Sequence, residues 1–412
     1  LYGDILNLYM ENDGFIIDEL IEREIRKLDL NVGILDRPMG TLSNGERTKV
    51  MIAALFLKKH NFLLIDEPTN HLDMEGRDCI AHYLSGKKGF ILVSHDRHFL
   101  DGTVDHILSI NKNNIELQKG NFSSWQDNKD RQDNYEIAKN KKLKREIVEQ
   151  EGAFRRTASW SNTVEKSKIG GHAGDRGYIG HKSAKIMKRA KSIERHKEKF
   201  IDEKKKLLKN IESYDDIKII PQSYYKDTLI SVEDLGVSYG ARKVLNNISF
   251  TVNNGERLAL RGRNGSGKST ILKILMGENI DYRGKVDIGS NLIISYVPQD
   301  ASFLNGSFSD FILNEGIDET IFRTLLSKLD VNEEDFAKNL EDLSQGQKKK
   351  VLIARSLSKS AHIYIWDEPL NYIDVYSRIQ IEDLIKEYAP TMIFVEHDYV
   401  FNKNVATKLV KL

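Results

Sequence analysis

An eight-residue stretch in the C-terminal half, GRNGSGKS at 262–269, constrains this chain more than any other. It matches the phosphate-binding pattern G-x-x-x-x-G-K-[ST] at every position, between an apolar run at 258–260 and a helical pattern at 270–276. Its glycines let backbone N–H groups surround phosphate oxygens, Lys268 can reach the β- and γ-phosphates, and Ser269 can ligate Mg²⁺. A chance glycine-rich turn would not come with this strand–loop–helix context. The stretch predicts a nucleoside triphosphate site formed by Gly262, Asn264, Gly265, Gly267, Lys268, Ser269 and Thr270.

Composition bounds the remaining possibilities. The chain has 412 residues, of which 40% are apolar, so two or three domains with real cores are expected. Charged residues make up 30% of the chain at a net charge of only +1, so any basic surface must be local. The single cysteine, Cys79, excludes an internal disulfide framework and indicates a reducing compartment. No apolar run approaches the roughly 18 residues of a membrane span, so we expect a cytoplasmic protein.

A series of three motifs occurs twice along the chain. The C-terminal series is LSQGQ at 343–347, DEP at 367–369 and EHD at 396–398. The N-terminal series is LSNGE at 42–46, DEP at 66–68 and SHD at 94–96. Corresponding residues are 301 or 302 positions apart in every motif. A constant offset of this kind predicts an internal duplication.

The same offset places a counterpart of Lys268 before residue 1, so the first repeat has no phosphate loop in this sequence. Glu67 and His95 are nevertheless present, and they would have no use without a nucleotide opposite them. The chain also begins at Leu1 without an initiator methionine. We therefore expect an N-terminal truncation rather than a true absence, and one complete nucleotide site in the chain as written.

Together these motifs resemble those of the ATP-binding cassette (ABC) ATPases. DEPTNHLD at 66–73 followed by SHDR at 94–97 is similar to the ABC-F class, soluble tandem cassettes that act on the ribosome. The second copy drifts to LNYID at 370–374 and EHD at 396–398, which resembles the antibiotic-resistance branch of that class, the Lsa type. The resemblance implies an α/β fold of tandem ABC-type P-loop ATPase domains joined by an α-helical coiled-coil hairpin linker. The expected boundaries are 1–125 for the first domain, 126–225 for the linker and 226–412 for the second domain.

The resemblance also implies roles in ATP hydrolysis, which depends mostly on positioning and charge stabilisation. Asp367 is expected to hold Mg²⁺ through water, together with Ser269 as a metal ligand. Glu368 is expected to orient or deprotonate the attacking water, and His397 to contact the γ-phosphate. Gln299 would sense Mg²⁺ and the γ-phosphate. Tyr239 is expected to stack on the adenine ring.

Cassettes of this type close head to tail, so that the Ser-x-Gly motif of one covers the phosphates held by the other. Ser43 and Gly45 open a helix, and helix N-termini attract anions. They are therefore expected to seal the γ-phosphate held by Lys268, within a monomer whose two cassettes pair with each other. The reciprocal, incomplete site would use Asp66, Glu67, His95, Ser344 and Gly346.

Between the two repeats the βαβ pattern stops, and the composition predicts a coiled-coil hairpin. Ile186, Ile193, Phe200 and Leu207 recur every seven residues, and a charged, proline-free segment precedes them at 126–159. From 152 to 191, ten Lys and Arg residues stand against two acidic ones, which suits binding to RNA phosphates. A solvated helix pair with a glycine-rich loop is the alternative. By resemblance, 160–181 would form the tip, and the RNA-contact candidates are Arg155, Arg156, Trp160, Lys168, Arg176, Tyr178, Lys182, Lys185, Lys188 and Arg189.

The resemblance implies a ribosome-protection protein that binds ATP and Mg²⁺ and contacts 23S rRNA near the peptidyl-transferase centre and the P-site tRNA, with no DNA or membrane partner. It would act against lincosamides, streptogramin A and pleuromutilins. A housekeeping translation factor of the same class is an alternative. Two others are the ATPase subunit of a membrane transporter and a chromosome-organising or repair ATPase. In the last of these a far longer coil interrupts a single cassette, whereas here the coil would separate two.

Overall fold

The protein is described from a computed structural model. The structure describes residues 2–11, 13–58, 62–70, 72–110, 115–166, 221–240 and 242–412. The chain divides into two compact units. One comprises Leu1–Ser123 with Tyr214–Leu412, and the other Ser124–Ser213.

The described residues form helices and strands that alternate in both repeats. The α-helices are α1 (Tyr2–Glu11), α2 (Ile17–Lys27), α3 (Asn44–Leu57), α4 (Met74–Ser85), α5 (Arg97–Thr103), α6 (Phe122–Lys166), α7 (Lys268–Leu275), α8 (Phe308–Glu315), α9 (Glu319–Lys328), α10 (Gln345–Ser358), α11 (Val375–Tyr388) and α12 (Tyr399–Val405). The strands are β1 (Leu63–Asp66), β2 (Phe90–Val93), β3 (His106–Ile110), β4 (Ile115–Lys119), β5 (Thr228–Tyr239), β6 (Arg242–Asn253), β7 (Arg257–Arg261), β8 (Tyr282–Ile288), β9 (Ile294–Val297), β10 (Ile363–Asp367), β11 (Met392–Val395) and β12 (Lys408–Lys411). Short 3₁₀ helices lie at Val32–Asp36, Met39–Thr41, Glu333–Ala337 and Leu340–Asp342.

A five-stranded parallel sheet organises the second repeat, in the order β12-β7-β11-β10-β9. Both β10 and β11 are fully buried, as the near-continuous apolar runs of central parallel strands require. Because the strands are parallel, the loops after β7, β10 and β11 emerge at the same edge, where α/β folds bind their ligands. Register pairs Asp367 with Val395, which brings the segments that follow β10 and β11 side by side.

Two hydrophobic cores flank this sheet. One lies between the sheet and the antiparallel strands β6-β5-β8, and includes Leu258, Leu260, Ile365 and Val395. The other lies on the opposite face, where α8 to α12 pack around Trp366, which is fully buried. Helix α7, which follows the phosphate loop, packs into the first of these cores through Ile271 and Leu272.

The first repeat reproduces part of this arrangement. Strands β1 and β2 pair in parallel, and Asp66 is in register with Val93 as Asp367 is with Val395. Helices α2, α3 and α4 pack on this pair through a separate core that includes Ile52 and Ile80. Strands β3 and β4 form an antiparallel hairpin. The predicted fold class, tandem α/β cassettes, is confirmed.

Helix α6 runs for 45 residues, from Phe122 to Lys166, which is about 68 Å at 1.5 Å per residue. The first arm was expected to end near residue 159, but α6 continues through Trp160 into the segment expected to form the tip. No proline or glycine interrupts 153–166, so the sequence has no strong stop signal there. Arg155 and Arg156 also lie on α6. The expected second arm at 183–213 and the contact candidates Lys168, Arg176, Tyr178, Lys182, Lys185, Lys188 and Arg189 lie outside the described residues.

Within the described part of the chain, no helix has both the length and the apolar character that crossing a membrane requires.

Candidate nucleotide site

A cavity of about 1000 Å³ opens where the two repeats face each other. The first repeat contributes the start of α3 and the start of α4, and the second contributes the phosphate loop and the edge of its sheet. The residues of the first repeat that line it include Ser43, Asn44, Gly45, Glu46, Asp73, Glu75 and Arg77. Those of the second include Asn264, Gly265, Gly267, Lys268, Ser269, Thr270, Gln299, Glu368, Asn371 and His397. The cavity therefore combines residues of the two repeats that are more than 160 positions apart in the sequence.

The phosphate loop joins β7 to α7 in a conformation that needs glycine. Gly267 has φ +95°, and a Cβ there would lie 2.6 Å from a methyl carbon of Leu245. Lys268 follows at the start of α7 and is buried, with Nζ donating to the carbonyls of Gly262 and Arg263 at 2.9 Å each. Burial lowers the pKa of Lys268, which three nearby carboxylates partly counter. The ammonium group is thus held over the loop, where an anion would stabilise it.

Glu368 stands at the centre of a polar cluster at the sheet edge. Its φ is +46°, a conformation that non-glycine residues rarely adopt, and it turns the chain sharply after β10. Its carboxylate accepts hydrogen bonds from Gln299 at 2.8 Å and Asn371 at 2.7 Å, and lies 3.5 Å from Nε2 of His397. Burial alone raises the pKa of Glu368, but the contacts with His397, Gln299 and Asn371 outweigh it, and the pKa falls to about 2. The ionised group is therefore suited to orienting a water molecule rather than to removing its proton.

Asp367 and its neighbours have the chemistry of a magnesium site. Asp367 is only 3% exposed, and among the described residues its Oδ1 has no hydrogen-bond partner. Burial raises the pKa of Asp367 to about 6, although a hydrogen bond with Ser269 opposes the rise. Mg²⁺ prefers hard oxygen donors and usually retains waters and substrate phosphates as further ligands. Ser269, Asp367 and Gln299 together fit such an ion, which would neutralise charge on the phosphates of a bound nucleotide.

Other metal arrangements lack support in the residues described here. No three His, Cys, Asp or Glu side chains in the described ranges are grouped so as to hold a metal ion by themselves.

Opposite the phosphate loop, the N-terminus of α3 faces the cavity. Ser43 caps this helix by accepting from the backbone N–H of Glu46, while Glu46 accepts from the N–H of Ser43 at 2.9 Å. The hydrogen bond from the backbone of Ser43 holds the pKa of Glu46 below its ordinary value. The capping box fixes the first turn and directs the positive end of the helix dipole towards the cavity.

The two repeats also contact each other directly at the phosphate loop. Asp73, which caps α4, accepts from the backbone N–H of Asn264 at 3.3 Å. Arg263 forms an ion pair with Glu75 at 2.7 Å. These contacts join the start of α4 to the loop that would hold the phosphates.

A buried ionic network extends the interface between the repeats. Arg97 at the start of α5 pairs with Glu382 of α11 and lies 3.6 Å from Asp398. Arg77 donates to Asp96 at 2.7 Å and to the backbone carbonyl of His397 at 3.2 Å. These contacts fix five side chains, three from the first repeat and two from the second, at the interface between the repeats.

The residues expected to form the reciprocal site lie at the ends of β1 and β2 in the first repeat and at the start of α10 in the second. Glu67 has φ +44°, matching Glu368, and lies 3.7 Å from Nε2 of His95. Burial raises the pKa of Glu67 to about 7, and in the described residues its Oε1 has no hydrogen-bond partner. Asp66, at the end of β1, is in register with Val93. Ser344 and Gly346 begin α10 on the second repeat and do not line the cavity described above.

Three residues expected at the site lie outside the cavity wall. Tyr239, at the end of β5, is 54% exposed, and its stacking on a base stays a prediction. Gly262 lines a smaller neighbouring cavity of about 330 Å³, and Asp367 is buried and hydrogen-bonded to Ser269. Sequence reasoning missed Asn371, although an amide three residues after Glu368 could have indicated it.

Comparisons with known proteins find ATP-binding proteins that resemble this chain. A family model described as ABC transporter matches residues 10–70 and 245–371. The chain is 30% identical to the ATP-binding protein Uup of Buchnera aphidicola subsp. Acyrthosiphon pisum (strain APS), over 94% of this chain and 62% of that protein. It is 27% identical to the energy-dependent translational throttle protein EttA of Haemophilus influenzae (strain ATCC 51907 / DSM 11121 / KW20 / Rd), over 97% of this chain and 68% of that protein. Along nearly its whole length the chain is similar to proteins of the ABC-F family. The chain spans less than two thirds of the length of Uup.

A solved structure shares the fold of this chain. The structure named RNase-L Inhibitor aligns with a TM-score of 0.60 at 22% identity, over 95% of this chain and 65% of that one. At this identity the likeness concerns the fold alone, and it extends across both cassettes.

Proposed function

We propose that this chain binds one ATP with Mg²⁺ between its cassettes and hydrolyses it to ADP and phosphate. The proposal rests on the placement of Glu368, with its three polar partners, across one cavity from the capped N-terminus of α3. The backbone N–H groups of the phosphate loop and Lys268 would hold the phosphates, and Ser43 and Gly45 would cover the γ-phosphate. The negative charge on the γ-phosphate would thus be stabilised by both cassettes.

In this scheme Glu368 orients the attacking water and His397 contacts the γ-phosphate. The pKa of Glu368 at about 2 keeps its carboxylate ionised throughout the physiological range. Gln299 and Asn371 fix its rotamer by donating to the same oxygen. The chain therefore supplies a pre-positioned hydrogen-bond acceptor that would orient the attacking water, and such positioning contributes to catalysis.

Substituting Glu368→Gln tests the proposal. The amide keeps the size of the side chain but lacks the negative charge that would orient the attacking water, so phosphate release from ATP should fall about 100-fold or more. ATP binding should persist. Glu387→Gln on the exposed face of α11 is the matched control and should hydrolyse ATP like the wild type. Equal hydrolysis by the Glu368 variant and the wild type would refute the assignment.

We further propose that the protein acts on the ribosome as a cytoplasmic, monomeric factor. Support comes from its relative EttA, which is named an energy-dependent translational throttle protein. The excess of basic residues at 152–191 supports a target rich in phosphate. ATP binding would close the cassettes and set the linker against 23S rRNA near the peptidyl-transferase centre and the P-site tRNA. With ATP, the Glu368→Gln variant should then co-sediment with ribosomes more strongly than the wild type, and equal sedimentation would contradict the scheme.

The finer proposal is protection of the ribosome from lincosamides, streptogramin A and pleuromutilins. It is supported by the sequence of the second repeat, LNYID at 370–374 and EHD at 396–398. A second candidate is a general translation factor, which the similarity to EttA favours. Drug susceptibility of cells that express the intact gene separates the two. Protection predicts raised inhibitory concentrations for these three classes, whereas a general factor predicts no change.

A further inference from the structure

In the first repeat, two hydroxyl groups tie together the loops that follow β1 and β2. Thr69 Oγ1 and Ser94 Oγ lie 3.4 Å apart, and Ser94 Oγ accepts from the backbone N–H of Asp96 at 3.2 Å. Both hydroxyl side chains are buried. One loop carries Glu67 and the other carries His95, so this tie joins the two residues that face each other at the end of the sheet.

The second repeat has no hydroxyl group at either corresponding position. There, a carboxylate links the two loops instead. Glu396 accepts from the backbone N–H of Leu370 through Oε2 at 3.1 Å. Its Oε1 accepts from the backbone N–H groups of His397 at 2.7 Å and Asp398 at 3.3 Å. The side chain is 4% exposed, so these three backbone donors replace the water that the carboxylate loses.

The two arrangements correspond position by position through the duplication. Leu370 stands where the first repeat has Thr69, and Glu396 stands where it has Ser94. Leucine cannot make a side-chain hydrogen bond, whereas the longer glutamate reaches the leucine backbone instead. The two differences therefore compensate each other, and the link between the loops is preserved in a different chemical form.

We propose that Glu396 is a positioning residue that sets the geometry between Glu368 and His397. The inference rests on the proposed hydrolysis at this site. Glu396 contacts neither residue's reacting atoms, but it holds the backbone N–H of His397 and the segment two residues after Glu368. Without it, the 3.5 Å separation of His397 Nε2 from Glu368 would be free to change. Small displacements of this kind reduce turnover more than they reduce binding.

Steady-state ATP hydrolysis by four proteins tests the proposal: wild type, Glu396→Ser, the double variant Leu370→Thr with Glu396→Ser, and Glu387→Ser. The single Glu396→Ser variant removes the tie, so its kcat should fall about tenfold or more while its KM stays within about twofold. The double variant rebuilds the hydroxyl pair of the first repeat and should recover most of the lost kcat. Glu387 is exposed, and its replacement by serine should have no effect.

The double variant separates positioning from a general loss of stability, because a merely structural glutamate would not be replaced by a hydroxyl pair. Should Glu396→Ser fail to fold, Glu396→Gln provides the measurement, since its single acceptor oxygen can hold only one of the two loops and should give an intermediate kcat. Wild-type kcat in Glu396→Ser or Glu396→Gln, or no recovery in the double variant, would overturn the inference. Absence of hydrolysis by the wild type would instead refute the proposed function, and this inference with it.

Discussion

Replacing Arg97 should weaken the contact between the cassettes more than any exposed substitution. Arg97 is 7% exposed, and its partners Glu382 and Asp398 are 2% and 0% exposed. In Arg97→Met the aliphatic part of the side chain is kept, but two carboxylates lose a buried counterion. Removing one member of a buried ion pair costs about 3 to 5 kcal/mol. Arg378 still pairs with Asp398 at 3.0 Å, so most of the cost falls on Glu382.

Urea unfolding monitored by tryptophan fluorescence measures this cost. With a slope of about 3 kcal/mol per molar urea, the midpoint of the transition that reports the cassette interface should fall by about 1 to 2 M. Arg323→Met is the matched control, because Arg323 and its partner Glu319 are 42% and 58% exposed and such pairs contribute about 0 to 1 kcal/mol. The double variant Arg97→Met with Glu382→Leu should regain most of the loss, since an apolar pair replaces the ionic one. A midpoint shift for Arg97→Met no larger than that of the control would refute the reasoning.

Two further predictions follow from the structure. Glu24 has a pKa of about 2 against an ordinary value of 4.5, because hydrogen bonds from Lys27, Lys87 and Tyr83 outweigh its burial. Its pairing therefore contributes stability above pH 4.5 that is lost as pH falls through about 2. The difference in unfolding free energy between wild type and Glu24→Gln should be about 3 kcal/mol at pH 6 and less than half of that at pH 3. A difference that stays constant with pH would contradict the assignment. Equilibrium titration of the Glu368→Gln variant should give one tightly bound ATP per chain, which Lys268→Ala abolishes; a stoichiometry of two would show that the reciprocal site is complete.

Much of the fold was predictable from the sequence because its signals are local. The offset of 301 or 302 positions between motifs anticipates the matching registers of Asp66 with Val93 and of Asp367 with Val395. The phosphate loop could be predicted because its glycines, lysine and serine lie within eight consecutive residues. That Ser43 and Lys268 face each other across the cavity could be predicted only from the resemblance, since no local pattern indicates which surfaces of two domains meet.

The interface and its supporting contacts were not predictable in this way. Arg97 and Glu382 are 285 positions apart, and each alone resembles an ordinary charged residue on a helix. Glu396 was visible as a departure from the serine of the first repeat, but its role depends on the backbone N–H of Leu370, which no pattern of side chains reveals. The extent of α6 was also underestimated, because the sequence gives no strong signal for where that helix ends.

The central claim is that the first cassette covers the triphosphate held by the second, and turnover of a Ser43→Asp variant measures it most directly. Aspartate caps helices as well as serine does, so α3 should persist, while its charge would oppose the γ-phosphate. Ser307→Asp, at the cap of α8 with an acidic residue at the same spacing, is the matched control. We predict that Ser43→Asp loses ATP hydrolysis while Ser307→Asp retains it. Full hydrolysis by Ser43→Asp would contradict the account.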